Sequence, residues 1–254
     1  MSGISGISGA GASYYTQQIA SGKRINSAAD DAAGLTISES LKSETGAQSA
    51  AAENIQSGIS ALNIADGALG GINDYLQRIK ELSVKASNGL LTKADKQAIQ
   101  NEIDQNIKGI DEIASSTQYN TLNLLDGSNE NITIASNPDG TGPSIGAAKS
   151  TSEALGLKGY NVTGDFDMSI IDKAIDTVNA NRSQVGADTN ALEYAYSYGQ
   201  NSIEQLNSAN SRIEDADIAK AISEQKKASL LEQYRLMAQK KKSEEDSIVS
   251  KMLF

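Results

Sequence analysis

Apolar side chains recur at steps of three and four residues through the first third of the chain, which is the spacing of one face of an α-helix. The helical pattern begins at Leu35 and continues to about residue 87. Its clearest part comprises Ile55, Ile59, Leu62, Ala65, Leu69, Ile72, Leu76 and Ile79. The pattern predicts one long amphipathic helix.

A second helix is predicted directly after the first. Asn88 and Gly89 are typical of a helix stop, and Thr92 with Asp95 three residues later is typical of a capping box. One face then carries Ile99, Ile103, Ile107, Ile110 and Ile113 before the pattern ends near residue 116. Because the connecting turn is short, the two helices should lie antiparallel.

The strongest periodic signal lies in residues 171–213. Alternating steps of four and three place apolar side chains at nine of thirteen positions, which is typical of a coiled-coil seam. These positions are Ile171, Ile175, Val178, Arg182, Val185, Thr189, Leu192, Tyr196, Gly199, Ile203, Leu206, Asn210 and Ile213. At about 1.5 Å per residue the stretch spans roughly 60 Å, so an elongated antiparallel helical bundle is expected.

Residues 119–164 have a different pattern, in which short apolar runs alternate with turn residues. One run ends at Asp126-Gly127 and the next at Asn137-Pro138-Asp139-Gly140. Turn sequences of this kind between short apolar runs predict β-hairpins. A small β-hairpin region is therefore expected within a mainly α protein.

The two ends of the chain differ from the predicted bundle. Residues 1–21 are rich in Gly and Ser and are expected to be flexible or partly helical, with a short helix over residues 14–20. Residues 22–34 are polar, and the charged residues 211–217 interrupt the last long helix. A helical pattern then resumes over residues 218–254.

The last residues of the chain form an apolar tip after a fully polar stretch at 239–247. A monomer would leave this tip exposed, so we expect it to contact a helix of another molecule. The tip comprises Ile248, Val249, Met252, Leu253 and Phe254.

The composition argues against most enzyme chemistry. The chain has no His and no Cys, so it cannot form a histidine-based catalytic triad or a zinc site with nitrogen or sulfur ligands. Carboxylates leave acid-base chemistry and oxygen-ligated metals open, but no catalytic, cofactor or metal site is predicted. The shortage of aromatic residues, with two Phe and no Trp, fits thin layers of helices better than a large globular core.

Charge and hydropathy limit the partners. A formal net charge of -10 argues against nucleic acid, because phosphate binding needs a basic face. No apolar stretch reaches transmembrane length, so membrane insertion is not expected. The first residues lack the charged and apolar regions of an ordinary signal peptide, so any export should use another route.

Six segments of the sequence, in the same order along the chain, resemble bacterial flagellin. They are RINSAADDAAG at 24–34, LQRIKEL at 76–82, STQYN at 116–120, ALGL at 154–157, IDTVNANRS at 175–183 and SRIEDAD at 211–217. The resemblance implies an inner coiled-coil domain called D0, from residues 1–21 and 218–254, and a helical bundle called D1, from residues 35–210. Residues 22–34 and 211–217 would be the connecting segments, and the variable outer domains would be missing.

The resemblance also implies an interface on the bundle. Arg78, Leu82 and Glu102 match positions through which flagellins contact vertebrate Toll-like receptor 5, and the same surface, with Gln77 and Glu81, would contact neighbouring subunits. Arg78 and Glu102 fall just beside the apolar stripes, which is the position expected for exposed side chains.

The function that the resemblance implies is a structural subunit that polymerises into the flagellar filament for motility. Its partners would be other flagellin subunits, an export chaperone, the filament cap and hook-associated proteins. It would be extracellular, in the flagellum, and exported by the flagellar type III apparatus without a cleaved signal peptide. Two alternatives remain: a minor or non-assembling flagellin-like binding protein, which the Gly-rich start and the charged residues 240–246 suggest, and a hook-filament junction protein.

Overall fold

The computed structural model describes residues 7–129, 131–146 and 149–253, and the side chains of residues 13–129, 131–145 and 149–248. Its helices are α1 (Ile7–Ser21), α2 (Ala32–Ala86), α3 (Lys93–Ser116), α4 (Ser169–Glu214) and α5 (Ile218–Leu253). Its strands are β1 (Gln118–Tyr119), β2 (Leu122–Asn123), β3 (Asn131–Thr133) and β4 (Ser144–Gly146). The prediction of a mainly α protein with a small β-hairpin region is confirmed.

The chain forms two compact units. One comprises residues 46–203, and the other comprises residues 1–45 together with 204–254. The boundaries between these units, after residue 45 and after residue 203, lie inside α2 and α4, so both helices contribute residues to both units. The sequence had suggested boundaries at 35 and 210.

The core of the unit 46–203 is formed by the three predicted apolar stripes. Leu69, Leu76 and Ile79 of α2 are fully buried, as are Ile103 of α3 and Leu192 of α4. Burying a side chain of this size contributes about 1.5–3 kcal/mol, so the shared core dominates the stability of the unit. Every position of the predicted α4 seam is buried or partly buried, whereas Tyr194 and Tyr198 beside it are exposed.

One charged residue on the α4 seam is accommodated by an ion pair. The Nε of Arg182 lies 2.9 Å from Oδ1 of Asp66 on α2, and its Nη2 lies 3.3 Å from Oδ2. The partly buried guanidinium therefore keeps a charged partner.

The predicted turn between α2 and α3 is confirmed. The side chain of Thr92 accepts a hydrogen bond from the backbone N–H of Asp95, and the carboxylate of Asp95 accepts from the N–H of Thr92. This capping box satisfies two amide groups at the start of α3, so the helix begins at Lys93.

The first hairpin turn is not where the sequence placed it. β1 and β2 pair antiparallel through Asn120 and Thr121, which have φ angles of 46° and 68°. A two-residue hairpin turn with positive φ at both positions twists in the same sense as its strands, and Asn tolerates this conformation. The prediction that Asp126-Gly127 forms a hairpin turn is wrong, because Asp126 instead accepts hydrogen bonds from Ser128 in a local turn after β2.

The second hairpin matches the sequence. β3 pairs antiparallel with β4, with Ile132 opposite Ile145. The connecting loop contains the predicted residues 137–140, closed by a hydrogen bond from the N–H of Ser136 to the carbonyl of Thr141.

In the unit formed by residues 1–45 and 204–254, helix α1 pairs with helix α5. The Nε2 of Gln225 lies 2.9 Å from the hydroxyl of Thr16, and the N–H of Ala216 donates to the carbonyl of Gly22. The two helices therefore run antiparallel. α1 is a continuous helix over Ile7–Ser21, longer than the stretch 14–20 that the sequence suggested.

The sequence predicted that the charged residues 211–217 connect the last two helices, but the connection between α4 and α5 is shorter. α4 continues to Glu214, and α5 begins at Ile218. Lys23 forms an antiparallel bridge with Asp215, so the two connecting segments lie side by side in this unit.

Replacing Ile103 by Ala should reduce the free energy of unfolding by about 2–5 kcal/mol, because the change leaves a cavity among fully buried side chains. The exposed Gln105 on the same helix is the control, and its replacement by Ala should change stability by less than about 0.5 kcal/mol. Urea unfolding followed by circular dichroism measures both. Equal effects of the two variants would contradict this assignment of the core.

Candidate interaction surfaces

The antiparallel arrangement of α2 and α3 brings together charges that are distant in the sequence. Arg78 Nε and Nη2 lie 3.0 and 2.6 Å from Oε1 of Glu102, and its Nη1 lies 3.1 Å from Oε2 of Glu81. All three side chains are substantially exposed, and the hydrogen bonds that Arg78 donates to Glu102 raise the pKa of Arg78. The surface made by these three residues and the exposed Gln77 is called the Arg78 surface below.

Leu82, the fifth residue expected at this interface, is placed differently. Only 3% of its surface is exposed, and it belongs to the core of the unit. The sequence contains the signal for this placement, since Leu82 follows Ile79 by three residues and extends the apolar stripe of α2. Leu82 can support the Arg78 surface from beneath, but its side chain is not available to a partner.

Helix α5 carries a second candidate surface. Within residues 230–237 of this helix, five large apolar side chains are between 51% and 69% exposed: Leu230, Leu231, Tyr234, Leu236 and Met237. These residues are called the α5 apolar group below. Single exposed apolar residues are ordinary, but a group of this size is typical of an interaction site.

The apolar tip is described only in part. Ile248 is 53% exposed at the distal part of α5. The side chains of Val249, Met252 and Leu253 lie outside the described residues, and so does Phe254.

A buried carboxylate links three segments of the unit that contains both ends of the chain. Glu214, at the last position of α4, is only 3% exposed. Its Oε1 lies 2.7 Å from Nζ of Lys23 and 2.8 Å from Nζ of Lys42. Its Oε2 accepts hydrogen bonds from Ser38 at 2.9 Å and from Asn210 at 3.1 Å.

The partners of Glu214 decide its protonation state. Burial alone would raise its pKa, but the hydrogen bonds from the two lysines, Ser38 and Asn210 outweigh burial and lower the pKa to about 2. The carboxylate is therefore charged at neutral pH and holds α2, α4 and the segment before α2 together. The sequence did not indicate this role, because Glu214 is one of several charged residues in the segment 211–217, which was interpreted only as an interruption of the helical pattern.

The described residues offer little else for chemistry. No group of three or more acidic side chains among them is placed to hold a metal ion. Within the same described range, every helix is too short or too polar to cross a membrane.

Comparison with known proteins identifies the family. Residues 6–130 match the model of the bacterial flagellin N-terminal helical region, and residues 168–246 match that of the bacterial flagellin C-terminal helical region. The chain belongs to the bacterial flagellin family. Only residues 131–167 separate the two matches, so this flagellin is a short form without the variable outer domains. Flagellins are structural proteins, which agrees with the prediction that the chain is not an enzyme.

Relatives and solved structures support the same assignment. The flagellar filament 33 kDa core protein of Treponema phagedenis is 35% identical over 85% of this flagellin and 83% of its own length. The crystal structure of Bacillus cereus flagellin is 26% identical, with a TM-score of 0.52 over 58% of this chain and 88% of that one. A candidate hook-associated protein of Vibrio parahaemolyticus has a TM-score of 0.62 over 73% of this chain and 100% of that one, but at 14% identity the likeness shows the fold alone.

Replacing Glu214 by Gln should destabilise the flagellin in a pH-dependent way. The pKa of Glu214 is about 2 in the folded protein and 4.5 as its ordinary value, so its charge stabilises the fold above about pH 4.5 and this stability is lost as the pH falls toward 2. The lowering of the pKa from 4.5 to about 2 corresponds to roughly 3 kcal/mol in the free energy of unfolding.

Thermal melting between pH 2 and pH 7 measures the effect. The variant should melt lower than the native chain at neutral pH, and the two melting temperatures should converge toward pH 2. Glu204→Gln, on the exposed side of α4, is the control and should follow the native curve. A constant difference at every pH would mean that the charge of Glu214 does not stabilise the fold.

Proposed function

We propose that this flagellin is a structural subunit of the bacterial flagellar filament, in which it polymerises with other copies of itself. The observation that carries the proposal is the α5 apolar group, which lies in water in the single chain. Burying each of these side chains against another subunit would contribute about 1.5–3 kcal/mol, although association entropy offsets part of this gain.

The arrangement of α1 and α5 supports assembly rather than a non-assembling role. The Gly-rich start would favour a non-assembling protein if it prevented α1 from forming, but α1 is helical and pairs with α5. With 15 residues against 36, α1 is about 22 Å long and α5 about 54 Å, so α1 lies beside only part of α5. A helix of another subunit would pack against the remaining part of α5.

The family matches favour a filament subunit over a hook-filament junction protein. Both matching models are those of flagellin, and the relatives that this chain matches include a flagellar filament core protein. The likeness to a candidate hook-associated protein concerns the fold, which the two kinds of protein share.

The location and the assembly partners follow from this role. The filament is extracellular, so the subunit would leave the cell through the flagellar type III apparatus. An export chaperone would cover α5 before assembly, since an exposed apolar helix promotes premature association. The filament cap and the hook-associated proteins would contact the assembled subunits.

The Arg78 surface supports a second role, recognition by vertebrate Toll-like receptor 5. Arginine is common at the centre of protein interfaces. The planar guanidinium of Arg78 now binds the carboxylates of Glu81 and Glu102, and it could instead bind carboxylates of another protein. The same surface would contact a neighbouring subunit when the filament forms.

Removing apolar side chains from α5 should impair polymerisation without unfolding the chain. Leu230→Ser combined with Leu231→Ser should raise the concentration needed for salt-induced filament formation by more than about tenfold, because two side chains lose their apolar burial. Tyr198→Ser removes an exposed apolar side chain from α4 and is the control. Sedimentation and negative-stain microscopy measure the outcome, and failure of the native chain to form filaments would refute the proposed function.

Replacing Arg78 or Glu102 by Ala should weaken binding but leave the fold intact. Exposed ion pairs contribute about 0–1 kcal/mol to stability, whereas loss of a central interface arginine costs on the order of 2 kcal/mol or more, which is over tenfold in affinity. Lys80→Ala is the matched control, because Lys80 also forms an exposed ion pair from α2, at 2.6 Å from Asp172.

Thermal melting, receptor-ectodomain binding and filament formation should be measured for these three variants. Melting temperatures lowered by many degrees would make Arg78 and Glu102 structural residues. Unchanged binding and unchanged assembly would make them ordinary solvated charges.

A further inference from the structure

Leu90 is the most exposed large apolar side chain among the described residues, with 90% of its surface accessible. It lies in the turn between α2 and α3, and this turn is well held. The N–H of Leu90 donates to Oδ1 of Asn88 at 3.0 Å, and the Thr92 capping box follows directly. The following residue, Leu91, packs against the core. Leu90 is therefore an apolar side chain presented to solvent on a fixed turn.

The same unit contains an apolar cavity that opens to solvent. It has a volume of about 170 Å³ and lies between α2 and the two hairpins. Its apolar lining includes Ala61, Leu124 and Ile145, which are buried, and Leu122, which is 43% exposed. The lining residues with polar side-chain groups are Ser57, Asn120 and Tyr119. A water molecule here would find few hydrogen-bond partners, so an apolar side chain is a better occupant.

The charges around the two features are complementary. Lys85, Lys93 and Lys96 flank the Leu90 turn along the chain and outnumber the capping carboxylate of Asp95, and none of the three lysines forms an ion pair with a described residue. Glu53 lies on α2 one helical turn before Ser57, on the same face of the helix, and it also has no ion-pair partner among the described residues. The turn therefore carries a net positive charge, and the cavity has an unpaired carboxylate one helical turn from its lining residue Ser57.

We propose that Leu90 of one flagellin copy inserts into this cavity of the next copy, with Lys93 placed near Glu53 of that copy. This inference rests on the proposed filament function and identifies one of its contacts. The turn and the cavity are separated along α2 by about 29 residues, from near residue 59 to residue 88, so successive copies would be staggered by roughly 44 Å.

A contact of this kind produces an open assembly. The inserted side chain and the cavity are different surfaces of the same molecule, so each copy that donates Leu90 still offers its own cavity to another copy. Such heterologous contacts extend without limit unless the rotation between copies closes a ring. The contact is therefore suited to a filament.

Cross-linking between copies tests the geometry, because the native chain contains no cysteine. Gly89→Cys and Ser57→Cys are introduced together, since a side chain at Gly89 meets no atom within 4 Å and Ser57→Cys is nearly isosteric. A short bis-maleimide reagent should then give a ladder of covalent oligomers under polymerising conditions. The control pairs Gly89→Cys with Tyr194→Cys, which is 79% exposed on α4, and should give no ladder.

Substitutions test the chemistry of the contact. Leu90→Ser should remove the ladder and raise the concentration needed for polymerisation by about tenfold, whereas Tyr194→Ser should change neither. Lys93→Glu and Glu53→Lys should each weaken the ladder, and the chain carrying both changes should recover it. Recovery in the double variant would show that the two side chains face each other across the contact.

The outcomes separate this inference from the proposed function. Filaments without a Gly89–Ser57 ladder would overturn the inference and leave the filament role intact. A ladder in concentrated solution without filaments would support the contact and overturn the filament role. A ladder equally strong with Tyr194→Cys, or unaffected by Leu90→Ser, would show non-specific association and would overturn the inference.

Discussion

The contact between the apolar stripes of α2, α3 and α4 is the interaction on which the unit 46–203 depends. The chain has few aromatic residues and no disulfide, so burial of Ile, Leu and Val between long helices supplies the main stabilising term. This contact also determines the surface. Because α3 packs antiparallel to α2, Arg78 meets Glu102 across 24 positions of sequence, and Leu90 is left at the turn where the chain reverses.

Charges have three different physical roles in this protein. The pair of Arg182 and Asp66 lets a helix seam carry a polar residue without leaving an unpaired charge. Glu214 uses four hydrogen-bond donors to offset its burial, and it joins segments from both ends of the sequence. The charges at the Arg78 surface and around Leu90 are exposed, contribute little to stability, and remain available to partners.

The sequence predicted the features that depend on neighbouring residues. The three apolar stripes and the capping box at Thr92 were readable because helix periodicity and capping are local properties. The first hairpin was misplaced because Asp126-Gly127 is a common turn sequence, whereas Asn120-Thr121 needed strand pairing to hold two residues at positive φ. Leu82 was assigned to an interface by resemblance, although its own spacing from Ile79 indicated the core.

The sequence by itself therefore determined the family, the helix class and which face of each helix is apolar, since these follow from residue order within about seven residues. The tertiary structure alone decided which distant groups meet. It placed Lys23, Lys42 and Ser38 around Glu214, and it left Leu90 exposed while an apolar cavity formed beneath the hairpins. The reason is physical: burial, pKa and the shape of a cavity depend on atoms brought together by folding, and no local pattern of residues records them.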